Sequence, residues 1–267
     1  MRPNRTKRLL GQGQPAIGTF CLAASALIAE MLGHSGLDFV MVDLQHGEST
    51  PDRLQHMLQA LSATPATPLV RVPANAPVDI QRALDMGAAG VVVPTVNTWE
   101  EAEAAVRAVR YAPIGVRSWG PLRGALYLGA EYFAEAHEEL LTILMIEGAE
   151  GCKNAREILS VPGVDACFIG PNDLSITLGF PPGLAELPPP VEEAVAAILA
   201  AARATGKAAG IQVFDARAAR PRIEQGFRFV SVMSELEMVR DGAAEVLRAV
   251  NHLGAKRGIE NQRGTTT

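Results

Sequence analysis

Two acidic side chains follow apolar runs in the second half of the sequence, and their type and spacing suit metal chemistry. Glu147 follows one run in the segment MIEG, and Asp173 follows the next in IGPNDLS. An aspartate just after Gly-Pro can be a simple helix cap. Two carboxylates at neighbouring strand ends, without paired cysteines or clustered histidines, are also the hard oxygen ligands that suit Mg²⁺, Mn²⁺ or Co²⁺. The sequence therefore predicts a divalent metal held by Glu147 and Asp173.

Other apolar runs also end in polar side chains that could act beside such a metal. The segment VDLQHG supplies Asp43, Gln45 and His46, and VRV supplies Arg71. We expect His46, oriented by Asp43, to move a proton as general base or acid. Arg71 could stabilise a developing oxyanion. Backbone N–H groups that open the helix after Pro171 could hold a substrate carboxylate.

This set of groups suits a 2-oxo acid as substrate. Its keto and carboxylate oxygens could occupy two metal positions, and the metal would polarise the keto group and stabilise an enolate. The competing mechanism is a Schiff base on lysine. The chain has four lysines, none of them at the carboxyl end of a predicted strand: Lys7, Lys153, Lys207 and Lys256. The sequence therefore favours the metal mechanism.

Eight short apolar runs alternate with helical patterns, which predicts a parallel sheet buried on both faces. The predicted strands cover 16–21, 39–43, 69–72, 90–94, 141–146, 166–169, 208–211 and 229–232. The predicted helices cover 51–61, 78–86, 98–110, 154–159, 190–205, 216–225 and 237–252. Eight such units predict a single α/β domain, a (β/α)8 TIM barrel over 1–254, with chemistry at the carboxyl ends of its strands. Two stretches, 111–133 and 179–190, read as long loops, and the polar tail 255–267 is expected to be disordered.

Composition excludes several other classes of protein. The net charge of -5 gives no basic surface for nucleic acid. No run is long and apolar enough to span a bilayer. Cys21, Cys152 and Cys167 form no CxxC pair, which suits a reducing cytoplasm. The basic and then apolar start resembles a signal peptide, but its apolar part divides into a predicted strand and a predicted helix.

Several segments in combination resemble the HpcH/HpaI aldolase family of metal-dependent class II pyruvate aldolases, which act on dihydroxyheptenedioate and 2-keto-3-deoxy sugar acids. They are FVMVDLQHG, PLVRVPANAPVDIQRALDMGAAGVVVPTVNTWEEAEAAVRAVRYAPIGVRS, MIEGAEGCKNAREILSVPGVDACFIGPNDLS and GKAAGIQV. The resemblance runs from about residue 16 to residue 253. It implies a barrel that forms homotrimers or homohexamers by exchanging its last helix. It also implies Glu147 and Asp173 as metal ligands, and His46 with Asp43 as an acid–base pair.

The resemblance assigns further residues to the substrate. Arg71 would contact the keto oxygen of pyruvate, and the backbone at Asn172 and Asp173 would hold its carboxylate. Asp85 would approach a neighbouring subunit's site, although an acid in ALDMG also reads as an ordinary helix end. Trp119 in GVRSWGP would lie near the aldehyde, although a loop aromatic is as often packing.

This sequence departs from the family pattern at two positions close to the predicted site. Gln45 replaces a glutamate, and Met145 replaces a glutamine two residues before the metal glutamate. Neither change removes a predicted ligand, but both alter groups that tune a metal site.

The prediction is thus a carbon–carbon lyase that cleaves or forms 4-hydroxy-2-oxo acids through a metal-bound enolate, giving pyruvate plus an aldehyde. Two alternatives stay open. One is a CoA-ester lyase of the citrate lyase β or malyl-CoA type, and the other is a non-catalytic barrel that binds 2-oxo acids.

Overall fold

The computed structural model describes residues 1–184 and 186–251 of the 267-residue chain. Eight parallel strands pair in sequence order, and the eighth pairs with the first to close a barrel. This confirms the predicted (β/α)8 fold. The strands are β1 (Ala16–Cys21), β2 (Phe39–Asp43), β3 (Thr67–Arg71), β4 (Gly90–Val93), β5 (Leu141–Met145), β6 (Ala166–Ile169), β7 (Ala208–Val213) and β8 (Phe229–Ser234).

Helices separate consecutive strands, as the βαβ connection of parallel strands requires. They are α1 (Arg5–Gly11), α2 (Ala26–His34), α3 (Pro51–Leu61), α4 (Pro77–Asp85), α5 (Trp99–Val109), α6 (Leu122–Leu128), α7 (Tyr132–Glu139), α8 (Ala149–Lys153), α9 (Ala155–Ser160), α10 (Pro171–Thr177), α11 (Pro189–Thr205), α12 (Ala216–Gln225) and α13 (Glu235–Asn251). One compact unit comprises Met1–Glu235 and holds the barrel. A second begins at Leu236, and its described part is the rest of α13.

Inward-facing apolar side chains fill the barrel. Phe39 of β2 stacks on Phe229 of β8 with ring centroids 4.2 Å apart, and Phe168 of β6 meets Phe229 edge-on at 5.5 Å. All three rings are fully buried. Because successive strand residues point to opposite faces, the residue two places after a core residue also faces inward, at the rim. This alternation directs the last residues of several strands toward a common opening.

Local sequence signals explain where the helices begin. Proline opens α3, α4, α10 and α11, a position where its missing N–H costs no hydrogen bond. A capping box opens α5, where Thr98 and Glu101 each bind the other's backbone N–H.

The structure corrects one predicted loop and confirms the predicted division of the N-terminal apolar stretch into a strand and a helix. The stretch 111–133 is not a plain loop, because it contains α6 and the start of α7. The N-terminal apolar stretch divides into β1 and α2, as predicted. The predicted tail 255–267 lies outside the described residues. Within the described chain, no helix combines the length and apolar character that a membrane crossing requires.

Candidate active site

The rim at the carboxyl ends of the strands collects the predicted polar groups. Asp43 is the last residue of β2, and Arg71 is the last residue of β3, where the two are register partners. Glu147 follows β5 by two residues. Asp173 lies in the first turn of α10, directly after β6. The barrel topology thus explains why residues 130 positions apart in the sequence share one face of the molecule.

A glycine marks the space between the two carboxylates. A Cβ atom built on Gly170 would lie 2.6 Å from Glu147 Oε2 and 3.5 Å from Asp173 Oδ2. Both oxygens therefore face one small space, which Gly170 leaves open. Two hard oxygen donors fit a divalent cation such as Mg²⁺ or Mn²⁺. The described residues include no cluster of three or more His, Cys, Asp or Glu side chains that could hold a metal. A cation here would keep positions for water and substrate.

The carboxyl group of Glu147 sits in an unusual electrostatic environment for an acid. Its side chain is almost fully buried, with the residue 4% exposed. Burial raises the pKa of Glu147 to about 7, against the opposing effect of the Thr95 N–H group, which donates to Oε1 at 2.9 Å. The nearby charge of Asp173 also raises this pKa, and that of Arg71 lowers it. A cation between the carboxylates would favour the ionised form.

Arg71 is held rigidly by a buried carboxylate. Its Nε donates to Asp43 Oδ1 at 2.9 Å, and its Nη2 donates to Asp43 Oδ2 at 2.5 Å. The guanidinium also lies over the ring of Phe20, 4.5 Å from the centroid. Asp43 is fully buried and Arg71 is 7% exposed. This bidentate arrangement fixes the guanidinium plane, so that its remaining N–H groups have a defined direction at the rim.

Asp43 does not contact His46 in the way that was predicted. Its Oδ1 accepts from the backbone N–H groups of Gln45 at 2.9 Å and His46 at 3.3 Å. The imidazole ring is exposed and has no hydrogen-bond partner among the described residues. Asp43 therefore shapes the backbone that carries His46 and leaves the ring free to turn toward a substrate.

The two departures from the family pattern contact this rim. Met145 Sδ lies 4.0 Å from Arg71 Nη1, where sulfur is a weak acceptor. Gln45 places its Oε1 in a buried position, without a hydrogen-bond partner in the described part of the chain.

Three other predicted residues make contacts away from the carboxylate pair. Asn172 uses its side-chain oxygen to accept from the N–H of Gly183 at 2.9 Å. Asp85 ends α4 and binds Arg117 Nη2 at 2.7 Å. Trp119 is exposed and packs on the rings of Tyr111 and Phe133 at 5.6 Å each. Asp85 and Trp119 thus interact with the segment around α6 and α7.

Thr95 is a site residue that the sequence reasoning missed. Its side chain carries no obvious chemistry, because the contact to Glu147 comes from its backbone. The available signal was its place two residues after β4, at the same rim as the other groups.

Comparison with known proteins points to one family. Residues 16–242 match the family model for HpcH/HpaI aldolase/citrate lyase. The hydroxypyruvate/pyruvate aldolase of Rhizorhabdus wittichii is 37% identical over 244 residues, covering 91% of this chain and 97% of that protein. The 2-dehydro-3,6-dideoxy-6-sulfogluconate aldolase of Pseudomonas putida is 38% identical over 244 residues, covering 91% and 95%.

A solved structure extends the agreement to three dimensions. It is an HpcH/HpaI aldolase/citrate lyase family protein from Burkholderia cenocepacia, 32% identical, with a TM-score of 0.87 over 93% of this chain and 99% of that one. The resemblance inferred from the sequence is thereby confirmed, and the chain belongs to the HpcH/HpaI aldolase/citrate lyase family.

Proposed function

We propose that this protein is a divalent-metal-dependent aldolase that cleaves or forms 4-hydroxy-2-oxo acids. The products of cleavage would be an aldehyde and pyruvate, or a 2-oxo acid close to pyruvate. The observation that carries the proposal is the pair of carboxylate oxygens, from Glu147 and Asp173, that face one space at Gly170. The names of the relatives support it, because they describe aldolases of hydroxypyruvate, pyruvate and a deoxy sugar acid.

Glu147 and Asp173 would hold Mg²⁺, Mn²⁺ or Co²⁺, and the bound metal would supply a Lewis acid for the keto oxygen of the substrate. Arg71 would donate to that oxygen as negative charge develops, since Asp43 already fixes its guanidinium. The backbone N–H groups of Asn172 and Asp173, in the first turn of α10, would bind the substrate carboxylate.

His46 would carry the proton that the bond cleavage requires. In cleavage, the imidazole takes the proton of the C4 hydroxyl, and C4 becomes the aldehyde carbonyl. The C3–C4 electron pair then stays on C3 as an enolate, which a proton converts to the methyl group of pyruvate. The imidazole ring of His46 is exposed and has no hydrogen-bond partner among the described residues, so it can meet a substrate group directly. The reverse sequence forms the bond.

The aldehyde would be selected by groups farther from the metal. Gln45, Asp85 and Trp119 are the proposed contacts, and the last two lie with α6 and α7. Exposed apolar residues of that segment, Leu122 and Leu126, suit burial against another copy of the chain. We therefore propose that the protein forms a homotrimer or homohexamer. Its free cysteines suit a reducing cytoplasm, which we propose as its compartment.

Deuterium exchange into the methyl group of pyruvate, followed by NMR, tests the enolate step without knowledge of the aldehyde. We expect no exchange by metal-stripped protein, exchange after Mn²⁺ or Mg²⁺ is restored, and its loss in Glu147→Ala. Glu150→Ala is a matched control, because Glu150 is exposed on the neighbouring α8. Absence of exchange in metal-loaded protein would overturn the proposal and favour the CoA-ester lyase, which acetyl-CoA binding would then reveal.

A further inference from the structure

We propose that Thr95 and Asn97 are positioning residues for Glu147, which hold one of its oxygens on a backbone N–H and leave the other for the metal. This inference rests on the metal site proposed above. The two residues lie in the loop between β4 and α5. Neither touches the space at Gly170, so their effect would act through Glu147.

The two oxygens of Glu147 have separate surroundings. Oε1 accepts the Thr95 N–H at 2.9 Å. Oε2 lies 2.6 Å from the position that a Cβ atom on Gly170 would occupy, on the side of Asp173. A carboxylate with one oxygen already engaged offers the other as a single ligand. The Thr95 N–H would therefore orient the Glu147 carboxylate so that Oε2 is the oxygen offered to the proposed metal.

Thr95 has a backbone conformation that its residue type disfavours. Its φ is +53°, in the left-handed region. A β-branched residue rarely adopts that region, and such conformations persist only where surrounding contacts enforce them. The φ of Thr95 sets how its N–H is oriented relative to the residues that follow, Val96 and Asn97. Contacts that hold those residues in place therefore also orient the N–H toward Glu147.

Asn97 supplies that enforcement through its side chain. Its Nδ2 donates to the Thr95 carbonyl at 3.1 Å, and its Oδ1 accepts from the Gly151 N–H at 3.1 Å. The intervening Val96 N–H donates to the carbonyl of Met145 at 3.1 Å. The loop between β4 and α5 is thus hydrogen-bonded to the chain on both sides of Glu147: to β5, which precedes Glu147, and to α8, which follows it.

The close approach of Asn97 requires small residues next to Glu147. A Cβ atom on Gly148 would lie 2.6 Å from Asn97 Oδ1, and one on Gly151 would lie 3.0 Å from the same oxygen. Glycine at both positions therefore leaves room for the asparagine side chain.

The first test measures Mn²⁺ affinity by electron paramagnetic resonance in Asn97→Ala. We expect binding about 10- to 100-fold weaker than in the wild type, the range found when groups behind metal ligands are removed. Asn75→Ala is the matched control, because the Asn75 side chain donates to the carbonyl of Glu101 in α5 and makes no other hydrogen bond within the described part of the chain. We expect the control to bind Mn²⁺ as the wild type does.

A second variant tests the strained conformation and stays informative if Asn97→Ala folds poorly. Thr95→Gly keeps the N–H and removes the Cβ that disfavours positive φ. We expect it to bind Mn²⁺ as the wild type does, with a melting temperature no lower. In the Thr95→Gly background, Asn97→Ala should weaken Mn²⁺ binding less than it does in the wild type. Glycine adopts the positive φ without strain, so the Asn97 side chain is no longer needed to enforce it.

The outcomes separate this inference from the proposed function. Unchanged Mn²⁺ affinity in Asn97→Ala would overturn the inference alone. So would a loss of affinity in Asn75→Ala as large as that in Asn97→Ala. A third such outcome is that Asn97→Ala weakens Mn²⁺ binding as much in the Thr95→Gly background as in the wild type. Weak binding by Thr95→Gly itself would also overturn it. Absence of Mn²⁺ binding by the wild-type protein would overturn both the metal site and this inference.

Discussion

At the residue scale, protonation of Glu147 would make binding of the proposed metal depend on pH. Burial raises the pKa of this carboxyl to about 7 in the metal-free protein, so a proton competes with the cation in the neutral range. Only the ionised carboxylate is a ligand. Metal affinity should therefore rise with pH up to about 7 and level off above it, unlike a site built from carboxyls of ordinary pKa.

We expect the Mn²⁺ association constant to fall by up to about tenfold per pH unit below pH 7, with one proton released per ion bound. Calorimetry at pH 6, 7 and 8, in buffers of different ionisation enthalpy, measures both quantities. Glu147→Gln should bind weakly and without this slope. Glu150→Gln, at an exposed carboxyl, should keep it. A pH-independent affinity in the wild type would contradict the assignment.

The Asp43–Arg71 pair gives a second prediction at this scale. Asp43→Asn removes the negative partner of an almost fully buried guanidinium, which leaves an uncompensated charge. We expect a loss of about 3 kcal/mol in the free energy of unfolding, measured by urea denaturation. Glu224→Gln is the control, because it breaks the exposed pair with Arg220 and should leave stability unchanged. If Asp43→Asn and Glu224→Gln lowered the free energy of unfolding by the same small amount, burial would not make the Asp43–Arg71 pair more important for stability than an exposed pair.

At the element scale, the junction between β6 and α10 leaves room at a glycine for oxygens of both Glu147 and Asp173. Gly170 has a φ of -92°, which any residue can adopt, so alanine there introduces no backbone strain. Its methyl group would instead meet Glu147 Oε2 at 2.6 Å. We expect Gly170→Ala to keep its helical circular dichroism and to lose at least about tenfold in Mn²⁺ affinity.

The control for this substitution is Gly11→Ala, at a glycine whose added Cβ would meet nothing within 4 Å. It should bind Mn²⁺ as the wild type does. If Gly170→Ala also kept full affinity, the space at Gly170 would not be the metal site, and another arrangement of the two carboxylates would be required.

The sequence predicted the elements well where burial leaves a continuous apolar trace. The limits of β1, β2 and β6 agree with the prediction to the residue, because strands covered on both faces read as unbroken apolar runs. The barrel order then places Glu147 and Asp173 at one rim, since every parallel strand ends on the same side.

Contacts that depend on tertiary geometry were not predictable in the same way. Asp43 was expected to orient the ring of His46, but it binds Arg71, a residue 28 positions away on the next strand. The left-handed Thr95 leaves no trace in residue type, since threonine disfavours that conformation. The proline and glycine residues of 111–133 suggested a loop and obscured α6.

At the scale of the whole molecule, the surface of the barrel unit exposes large apolar side chains to solvent, which is energetically unfavourable. Leu122 and Leu126 on α6 are 88% and 85% exposed. Four residues apart, they lie on one face of that helix. Trp119 and Phe133, also exposed, lie close by in the sequence and contact each other. The same segment binds Asp85 through Arg117, which connects the proposed interface to a proposed substrate contact.

The native mass in solution tests this connection. Light scattering during gel filtration should give three or six times the mass of one chain. Leu122→Asp combined with Leu126→Asp should shift the protein to smaller species, because two charges would be buried against apolar partners. Arg220→Ala on α12 changes an exposed charge without changing an apolar face, and should leave the mass unaltered. If the double variant kept both its assembly and its turnover, α6 would not lie in the interface, and the aldehyde contacts would have to come from within one subunit.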